Sequence, residues 1–279
     1  VKAEITCCET DESGSKEFVA FAGEGEYRGF YMHSAGRLIA ELECGNSDCE
    51  LELGFIASCY PVEKESVTST SDAALNQVLD TCRHTLKICR QTLHLDSPKH
   101  CEPLACTGDY YIETLMTAFS FGDMRLAEFD LLRTAELIRN NGGRMFHTTY
   151  SLIWVQMLRD VYMITGRKEI LNYCENALGT LLDRFETYKD CGEIIENPPD
   201  FMFVDWTVID GFSMHHPPKA LGQTVLNCFY YKALIEAELE QQKKEIIGKL
   251  EKGQILEGTV KNITSYGVFI DLGGVDGLI

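Results

Sequence analysis

The sequence predicts a mainly α-helical protein in which helical hairpins follow one another, with β-strands before them and a β-meander after them. Three observations indicate this architecture. Apolar residues recur at helical spacing through most of residues 63–240, and short Gly- and Asn-rich turns separate the runs. Residues 1–62 instead show strand-like runs, and residues 241–279 alternate apolar with polar side chains. We therefore expect three domains or segments with these boundaries.

The first segment, residues 1–62, is predicted to form short strands. Apolar residues alternate with polar ones or run together over strand-like lengths, with Gly, Asn, Asp and Ser between the runs. The three predicted strands begin at Glu17, Arg37 and Glu50. Because the segment is short for an independent sandwich, we expect it to be the end of a larger β-sandwich domain.

The second segment begins with a polar linker at residues 63–70, followed by Ser71 as a candidate N-cap. Leu75, Val78, Leu79, Cys82, Leu86 and Cys89 then form the apolar stripe of a long helix. Later helices are predicted at Tyr110–Ser120, from Asp123 to Asn140, at Ser151–Thr165, at Lys168–Tyr188, and from about Lys219 to Leu239. Helix pairs punctuated by Gly favour a helical toroid or solenoid, and a simple bundle is the alternative.

The acidic composition makes some classes of function improbable for this protein. A net charge of −18 and a pI near 4.8 disfavour nonspecific binding to nucleic acid and to anionic membranes. No apolar run is long enough to span a membrane, and no signal peptide is recognisable. The chain begins at Val1, so an N-terminus from which a signal has been removed stays an alternative. We expect no membrane partner.

The twelve cysteines do not form a zinc-binding pattern, because no Cys-x-x-Cys occurs. We interpret most of them as reduced core residues, which favours a cytoplasmic protein. A secreted protein with disulfide bonds is the alternative. We expect neither a cofactor nor a metal ion.

An irregular stretch with three acids follows the first long helix. Asp96, Glu102 and Asp109 lie in a segment where Pro98 and Pro103 remove backbone donors and disfavour helix. The stretch is therefore a loop that displays carboxylates and leads into a helix, and such loops often carry chemistry. A surface loop with solvated acids and a helix-capping Asp is the alternative.

A second irregular stretch covers residues 190–216. Asp205 stands beside Trp206, and sugar sites use this combination because an aromatic face stacks on C–H groups while a carboxylate binds hydroxyls. A buried Trp with a capping Asp is the alternative. His215 and His216 could ligate a metal, but a pair of one buried and one exposed His is the more common case.

The third segment has the pattern of a β-meander. Val260, Val268 and Ile270 alternate with polar residues, and turns are predicted at Asn262 and at Gly273-Gly274. Residues 243–279 hold five Lys and five acids, so they lack a basic surface for nucleic acid and the net charge of −18 lies in residues 1–242.

The first acidic loop resembles a motif of the α-L-rhamnosidase family of six-hairpin glycosidases. Residues 96–109 are Asp-Ser-Pro-Lys-His-Cys-Glu-Pro-Leu-Ala-Cys-Thr-Gly-Asp, and the family carries Asp-Cys-Pro-Gln-Arg-x-Glu-Arg-Leu-Gly-Trp-Thr-Gly-Asp. Asp205-Trp206 is similar to the family's later Gly-Asp-Trp, so the resemblance covers roughly residues 20–238. It implies a partial (α/α)6 barrel preceded by β structure, and hydrolysis of terminal α-L-rhamnosides with inversion.

The resemblance also implies roles for single residues. Glu102 matches the family's general acid, and Asp96 and Asp109 match acids that bind sugar hydroxyls. Asp205 and Trp206 would line the sugar site. The expected ligand is therefore a rhamnose-containing glycoside.

This chain departs from the family motif at several positions of the loop, and Lys99-His100 stands where the family has Gln-Arg. His100 replaces an Arg and would contact substrate in its place, while Cys106 replaces a Trp and removes one stacking surface. The family's base lies in the second half of the barrel, for which these residues leave no room. We therefore expect an incomplete barrel. Completion by a partner chain, and with it an oligomer, stays open.

The tail resembles the start of an S1 RNA-binding domain, which is an OB-type barrel. Tyr266 and Phe269 match surface aromatics on which bases stack in that family. Because about three strands cannot close a five-stranded barrel, we expect a truncated OB-type β-meander. Two alternatives to a glycosidase follow: a protein that binds single-stranded RNA weakly through this tail, and a carbohydrate-binding remnant without catalysis.

Overall fold

The computed structural model describes the chain outside residues 1, 9–13, 21–23, 30–32, 34–35, 47, 97–105, 190–193, 197, 214–218, 249–253, 256, 265–266, 273–275 and 279. The chain divides into two compact units, Val1–Leu126 and Ala127–Ile279, which are considered in turn. The first contains a small sheet and two helices, and the second contains the remaining helices and strands.

The first unit begins with a three-stranded antiparallel sheet in the order β2-β1-β3. Its strands are β1 (Lys2–Cys8), β2 (Gly14–Ala20) and β3 (Arg37–Glu43). Two of these strands confirm the prediction, whereas the strand predicted from Glu50 is wrong. Residues 50–57 form no strand, because their apolar side chains Leu51, Leu53, Phe55 and Ile56 are exposed instead of packed. The central strand β1 was not predicted.

Two helices complete the first unit, α1 (Ala73–Cys89) and α2 (Thr107–Ser120). Asp72, not the predicted Ser71, caps α1, because its Oδ1 accepts hydrogen bonds from the backbone nitrogens of Ala74 and Leu75 at 2.8 and 3.2 Å. The α2 helix begins three residues before the predicted Tyr110, so its first turn follows directly on the acidic loop.

The α2 helix buries mostly polar side chains and exposes its large apolar ones. Its buried positions are Thr107, Tyr110, Glu113, Thr114 and Thr117. Its exposed large apolar side chains are Ile112, Met116 and Phe119. A surface helix normally turns its apolar stripe inward. In the described part of this chain, α2 therefore presents an uncovered apolar face.

The second unit contains the remaining helices. These are α3 (Arg125–Asn140), whose first two residues belong to the first unit, α4 (Thr148–Thr165), α5 (Lys168–Glu186) and α6 (Lys219–Gly248). Gly166 ends α4 in the left-handed conformation at φ 66°, as the sequence predicts. The α6 helix continues to Gly248 instead of ending near Leu239.

The helices α3 and α5 run in the same direction. Near their starts, Arg167 forms an ion pair with Glu128. Further along both helices, the hydroxyl of Tyr173 donates to the carboxylate of Glu136. The contacting residues advance together along both helices, so the two helices are parallel.

The helices α4 and α6 are also parallel. Lys232 Nζ donates to Gln156 Oε1 at 2.9 Å, and one turn later Glu236 lies within electrostatic reach of Arg159. Alternate helices of the second unit are therefore parallel, as expected of helical hairpins in series. The mainly helical fold class with a helical-hairpin domain is confirmed.

The core of the second unit lies between α4 and its neighbours. Trp154 is fully buried and donates from Nε1 to the Leu131 carbonyl at 3.0 Å. Tyr230 of α6 is also fully buried and donates to Glu186 Oε1 at 2.7 Å, which ties α6 to the end of α5. Among the described helices, none is both long and apolar enough to span a membrane.

The tail forms a three-stranded antiparallel meander of β6 (Thr259–Thr264), β7 (Gly267–Asp271) and β8 (Asp276–Leu278), after the short hairpin β4 (Val208–Ile209) and β5 (Phe212–Ser213). The meander is confirmed, but the turn predicted at Asn262 is wrong. Asn262 lies inside β6, opposite Phe269, next to a register shift after Val260. A bulge absorbs the polar residue there without ending the strand.

The interpretation of most cysteines as reduced core residues is correct only in part. Cys44 and Cys49 form a disulfide. Among the described free cysteines, Cys7, Cys8, Cys89 and Cys174 are buried, whereas Cys59, Cys82 and Cys228 are exposed. Burial raises the pKa of Cys174 to about 12, so this thiol stays protonated and inert.

Candidate functional site

The acidic loop begins where α1 ends. Asp96 is exposed, and its backbone carbonyl accepts a weak hydrogen bond from Cys89 Sγ at 3.8 Å. Burial, together with the nearby carboxylates of Glu113 and Asp96, raises the pKa of Cys89 to about 11. Asp96 and Glu113 therefore both lie near this neutral thiol of the first unit.

Asp109 lies in the first turn of α2 and is half-buried. Its backbone nitrogen donates to the Cys106 carbonyl at 3.1 Å. In the same turn, the hydroxyls of Thr107 and Tyr110 are hydrogen-bonded at 2.8 Å. A carboxylate at a helix N-terminus is stabilised as the anion, which suits it to accept hydrogen bonds from hydroxyl groups.

The other predicted residues of this loop, Glu102 and His100, lie outside the described residues, as does Tyr266 in the tail. Phe269 lies in β7, paired with Leu278 of β8. The functional assignments of these four residues stay predictions.

Glu113 was missed by the sequence reasoning. It is 7% exposed and lies one helical turn after Asp109, so both carboxylates belong to the same side of α2. The available signal was an acid at i+4 on a helix whose neighbouring turns carry Thr and Tyr instead of apolar residues.

In the second unit, Asp205 and Trp206 are both exposed, and the Trp206 side chain is 65% accessible. Asp205 Oδ1 accepts a hydrogen bond from the Trp206 backbone nitrogen at 2.6 Å, which holds the carboxylate against the backbone at Trp206. The hairpin β4–β5 follows, with Asp210 and Gly211 at its turn in positive φ. The alternative of a buried Trp is therefore wrong.

Trp206 is one end of a continuous aromatic strip, formed by Phe146, His147, Tyr150, Phe201, Phe203 and Trp206. The indole contacts Phe203 edge-on with ring centroids 5.5 Å apart. Phe203 is buried and stacks on His147 at 4.5 Å, while Phe201 stacks on the exposed Phe146 at 5.0 Å. Two exposed rings, Trp206 and Phe146, thus mark the ends of one strip.

Hydrogen bonds from the start of α4 hold this strip in place. The Thr148 nitrogen and hydroxyl both donate to the Phe201 carbonyl, at 3.3 and 2.6 Å. The Thr149 hydroxyl donates to the Phe203 carbonyl at 2.5 Å. Donors at a helix start would otherwise lack partners, so the loop carbonyls satisfy them and fix the loop.

A buried carboxylate anchors the same loop from the other side. Asp200 accepts two hydrogen bonds from Arg184, at 2.9 and 3.0 Å, and forms an ion pair with Arg144 at 3.1 Å. The hydroxyl of Tyr188 also donates to it, and burial together with this hydrogen bond raises the pKa of that tyrosine. These contacts hold Asp200 in place, at the start of the loop that carries Trp206.

The sequence reasoning missed the other five rings of the strip. The signal was present as aromatic residues in both connections that lead into α4 and α6, with Phe201 and Phe203 spaced like residues on one side of an extended segment. Among the described residues no His, Cys, Asp and Glu cluster could hold a metal ion. His215 and His216 lie outside the described residues.

Comparison with protein families matches residues 63–241 to the bacterial α-L-rhamnosidase six-hairpin glycosidase domain. The chain belongs to this family. The match contains the acidic loop, the aromatic strip and the helical hairpins α1–α2 and α3–α4, together with α5 and most of α6.

A second family comparison matches residues 249–279 to the S1 RNA-binding domain. The chain is 52% identical to small ribosomal subunit protein bS1 of Rhizobium meliloti over 48 residues, which are 17% of this chain and 8% of the relative. It is 49% identical to the bS1 homologue of Bacillus cereus over 49 residues, 18% of this chain and 13% of the relative. The chain thus spans about a tenth of these relatives. No solved structure matches.

Proposed function

We propose that the protein is a glycoside hydrolase that removes terminal α-L-rhamnosyl groups with inversion. Membership of the six-hairpin glycosidase family supports the reaction class, and the acidic loop supports the sugar. The observation that carries the proposal is the exposed indole of Trp206 next in sequence to Asp205, whose carboxylate is hydrogen-bonded to the Trp206 backbone nitrogen. A stacking face next to an acceptor of hydroxyl protons is the minimum recognition unit for a pyranose.

Glu102 would be the general acid of the reaction. A glycosidic oxygen is a poor leaving group, so its departure requires a proton in the transition state. Asp96, Asp109 and His100 would hold the sugar hydroxyls, and Asp205 with Trp206 would hold the ring. Inversion also requires a second carboxylate, about 6.5–9.5 Å from the acid, to activate water. None of the described residues is assigned as this base.

Turnover of an aryl α-L-rhamnoside tests the assignment. We expect the wild-type chain to release the chromophore and Glu102→Gln to lose at least 10²-fold in kcat, because the amide cannot donate the proton. Glu50→Gln, an exposed acid outside the family match, is the control and should keep full activity. Retained activity in Glu102→Gln would refute the role of Glu102. Rhamnose binding without turnover in the wild type would indicate the carbohydrate-binding alternative.

RNA binding by the tail is the second candidate function, and the S1 match of residues 249–279 favours it. Tyr266 and Phe269 would supply stacking surfaces for bases. We expect a labelled single-stranded RNA to bind weakly at low salt and Tyr266→Ala to abolish the anisotropy change. Tyr27→Ala, which removes an exposed tyrosine of the first unit, is the matched control. No anisotropy change with the wild type would exclude this function.

A further inference from the structure

The two ends of the aromatic strip differ in charge. At one end the exposed Trp206 follows directly on the acid Asp205. At the other end Phe146 is 74% accessible and stacks on Phe201, and the basic residue Arg144 precedes it by two positions. The strip therefore offers one stacking surface beside an acid and a second one beside a base.

Arg144 and Phe146 belong to one neighbourhood, because they contact consecutive residues of the facing loop. Arg144 Nε lies 3.1 Å from Asp200 Oδ1, and the Phe146 ring stacks on Phe201 at 5.0 Å. The Arg144 side chain is 63% exposed, and among the described residues this ion pair is its only polar contact. An arginine has five N–H donors, so the Arg144 guanidinium keeps donors for a ligand.

The charge of Asp200 does not neutralise both of its arginines. Arg184 donates to the two carboxylate oxygens from Nε and Nη2, at 3.0 and 2.9 Å, and Tyr188 donates its hydroxyl. Asp200 is the only acid among the described residues that pairs with Arg184 or Arg144. One positive charge is therefore left at this end of the strip, and it lies on the more exposed arginine, Arg144.

The two stacking surfaces are close enough for one ligand. Between ring centroids, Trp206 lies 5.5 Å from Phe203, Phe203 lies 4.5 Å from His147, and His147 lies 4.8 Å from Phe146. The two exposed rings are therefore at most three ring separations apart, which is within the reach of two or three linked sugar rings.

We propose that Phe146 and Arg144 form a second subsite, which binds a sugar ring with a carboxylate, as in a uronic acid, within two rings of the rhamnosyl group. This inference rests on the proposed function, because it takes the rhamnosyl group to lie at Trp206. Phe146 would stack on the C–H groups of the acidic ring, and Arg144 would bind its carboxylate with two parallel hydrogen bonds.

The preference for an acidic ring has to come from this contact. The net charge of −18 repels anions at long range, so the field of the whole protein does not attract such a substrate. A neutral ring would stack on Phe146 equally well but would form no charge-assisted hydrogen bond with Arg144. The expected substrates are therefore acidic rhamnosyl oligosaccharides.

Isothermal titration calorimetry with two matched trisaccharides tests this subsite. Both carry a terminal α-L-rhamnosyl group and are linked through sulfur, so that they resist hydrolysis. One has two glucuronic acid rings, and the other has both carboxylates reduced, which gives glucose. We expect the acidic form to bind the wild type about tenfold more tightly and this ratio to fall as the salt concentration is raised.

Variants of Arg144 show whether this residue is the source of the preference. Arg144→Gln should abolish the preference while the neutral form binds as before, and Arg144→Lys should keep part of it, because a lysine retains the charge without the bidentate geometry. The matched control is Arg139→Gln, which removes an exposed arginine 5.9 Å from the Tyr173 ring and should keep the full ratio.

Trp206→Ala separates this inference from the proposed function. It should weaken the binding of both trisaccharides and leave their ratio unchanged, because it removes the rhamnosyl site alone. If it changed neither affinity, the role of Trp206 in the proposed function would fail, whereas the contact of Arg144 with the acid would stand. Equal wild-type affinities for the two trisaccharides, or a ratio that survives Arg144→Gln, would overturn the subsite. Binding of neither trisaccharide would overturn both.

Discussion

The helices α2 and α4 are each the second helix of a hairpin, yet they are buried in opposite ways. On α4 most positions up to Val161 are buried, among them the fully inaccessible Leu152, Trp154 and Met157. On α2 the buried positions are mostly polar, and Phe119 points outward. The difference shows that α4 buries apolar residues against its neighbouring helices, whereas α2 buries mostly polar residues against its neighbours and leaves its apolar side exposed.

Truncation of Trp154 should produce the largest effect on stability in this comparison. Trp154→Ala removes a fully buried indole and its hydrogen bond to Leu131, so we expect a loss of about 3–5 kcal/mol in the free energy of unfolding. Urea titration measures this loss. Trp206→Ala, at an exposed tryptophan, should change stability by less than ~0.5 kcal/mol. Equal losses in both variants would contradict the description of the core.

Asp200→Asn should have an intermediate effect. The amide weakens the contacts to Arg184 and Arg144 and leaves two guanidinium groups without their anion, which costs about 1–3 kcal/mol at a partly exposed network. Thermal unfolding measures the loss. Asp205→Asn is the control, because Asp205 lies in the same loop but is exposed, and its melting temperature should be unchanged.

Glu236→Gln should have the smallest effect on stability of these variants, and the size of this effect should depend on pH. Burial between α4 and α6 raises the pKa of Glu236, only partly offset by Lys232 and Arg159, while Asp160 adds to the rise. The folded state therefore binds a proton more tightly than the unfolded state, so stability falls as pH rises from the ordinary carboxyl pKa through the raised one.

Removing the titratable group should remove this dependence. We expect Glu236→Gln to melt a few degrees higher than the wild type at pH 8 and to lose that advantage near pH 4. Glu238→Gln, at an exposed acid on the same helix, should follow the wild type at both pH values. If the melting temperatures of the wild type and of Glu236→Gln changed with pH in the same way, the raised pKa of Glu236 would be contradicted.

Repeated local patterns made most of the fold predictable. Apolar stripes and Gly-rich ends located all six helices, because a helix that packs on a core must show its period in sequence. The strand β1 was missed and the strand at Glu50 was wrong, because pairing depends on a partner strand that local alternation does not reveal. The Asn262 turn failed for a similar reason, since a bulge accommodates a residue that commonly ends strands.

The candidate site was predictable where it depends on a motif and unpredictable where it depends on contacts. Asp205 and Trp206 stand together in the sequence, so their chemistry is visible there. The stacking of Phe203 on His147 joins two distant loops, and only the fold brings these rings together. Glu113 was hidden because burial of an acid on a helix cannot be inferred from its spacing alone.

Binding of L-rhamnose at Trp206 tests the central claim most directly. In a Trp154→Phe background Trp206 is the sole remaining tryptophan, because the chain contains two, so its fluorescence reports this site alone. We predict a saturable change in emission with L-rhamnose, which is lost when Asp205→Asn is added and absent with D-glucose as the control sugar. An emission spectrum that does not respond to rhamnose, in a chain shown to be folded, would contradict the claim that this strip binds the sugar.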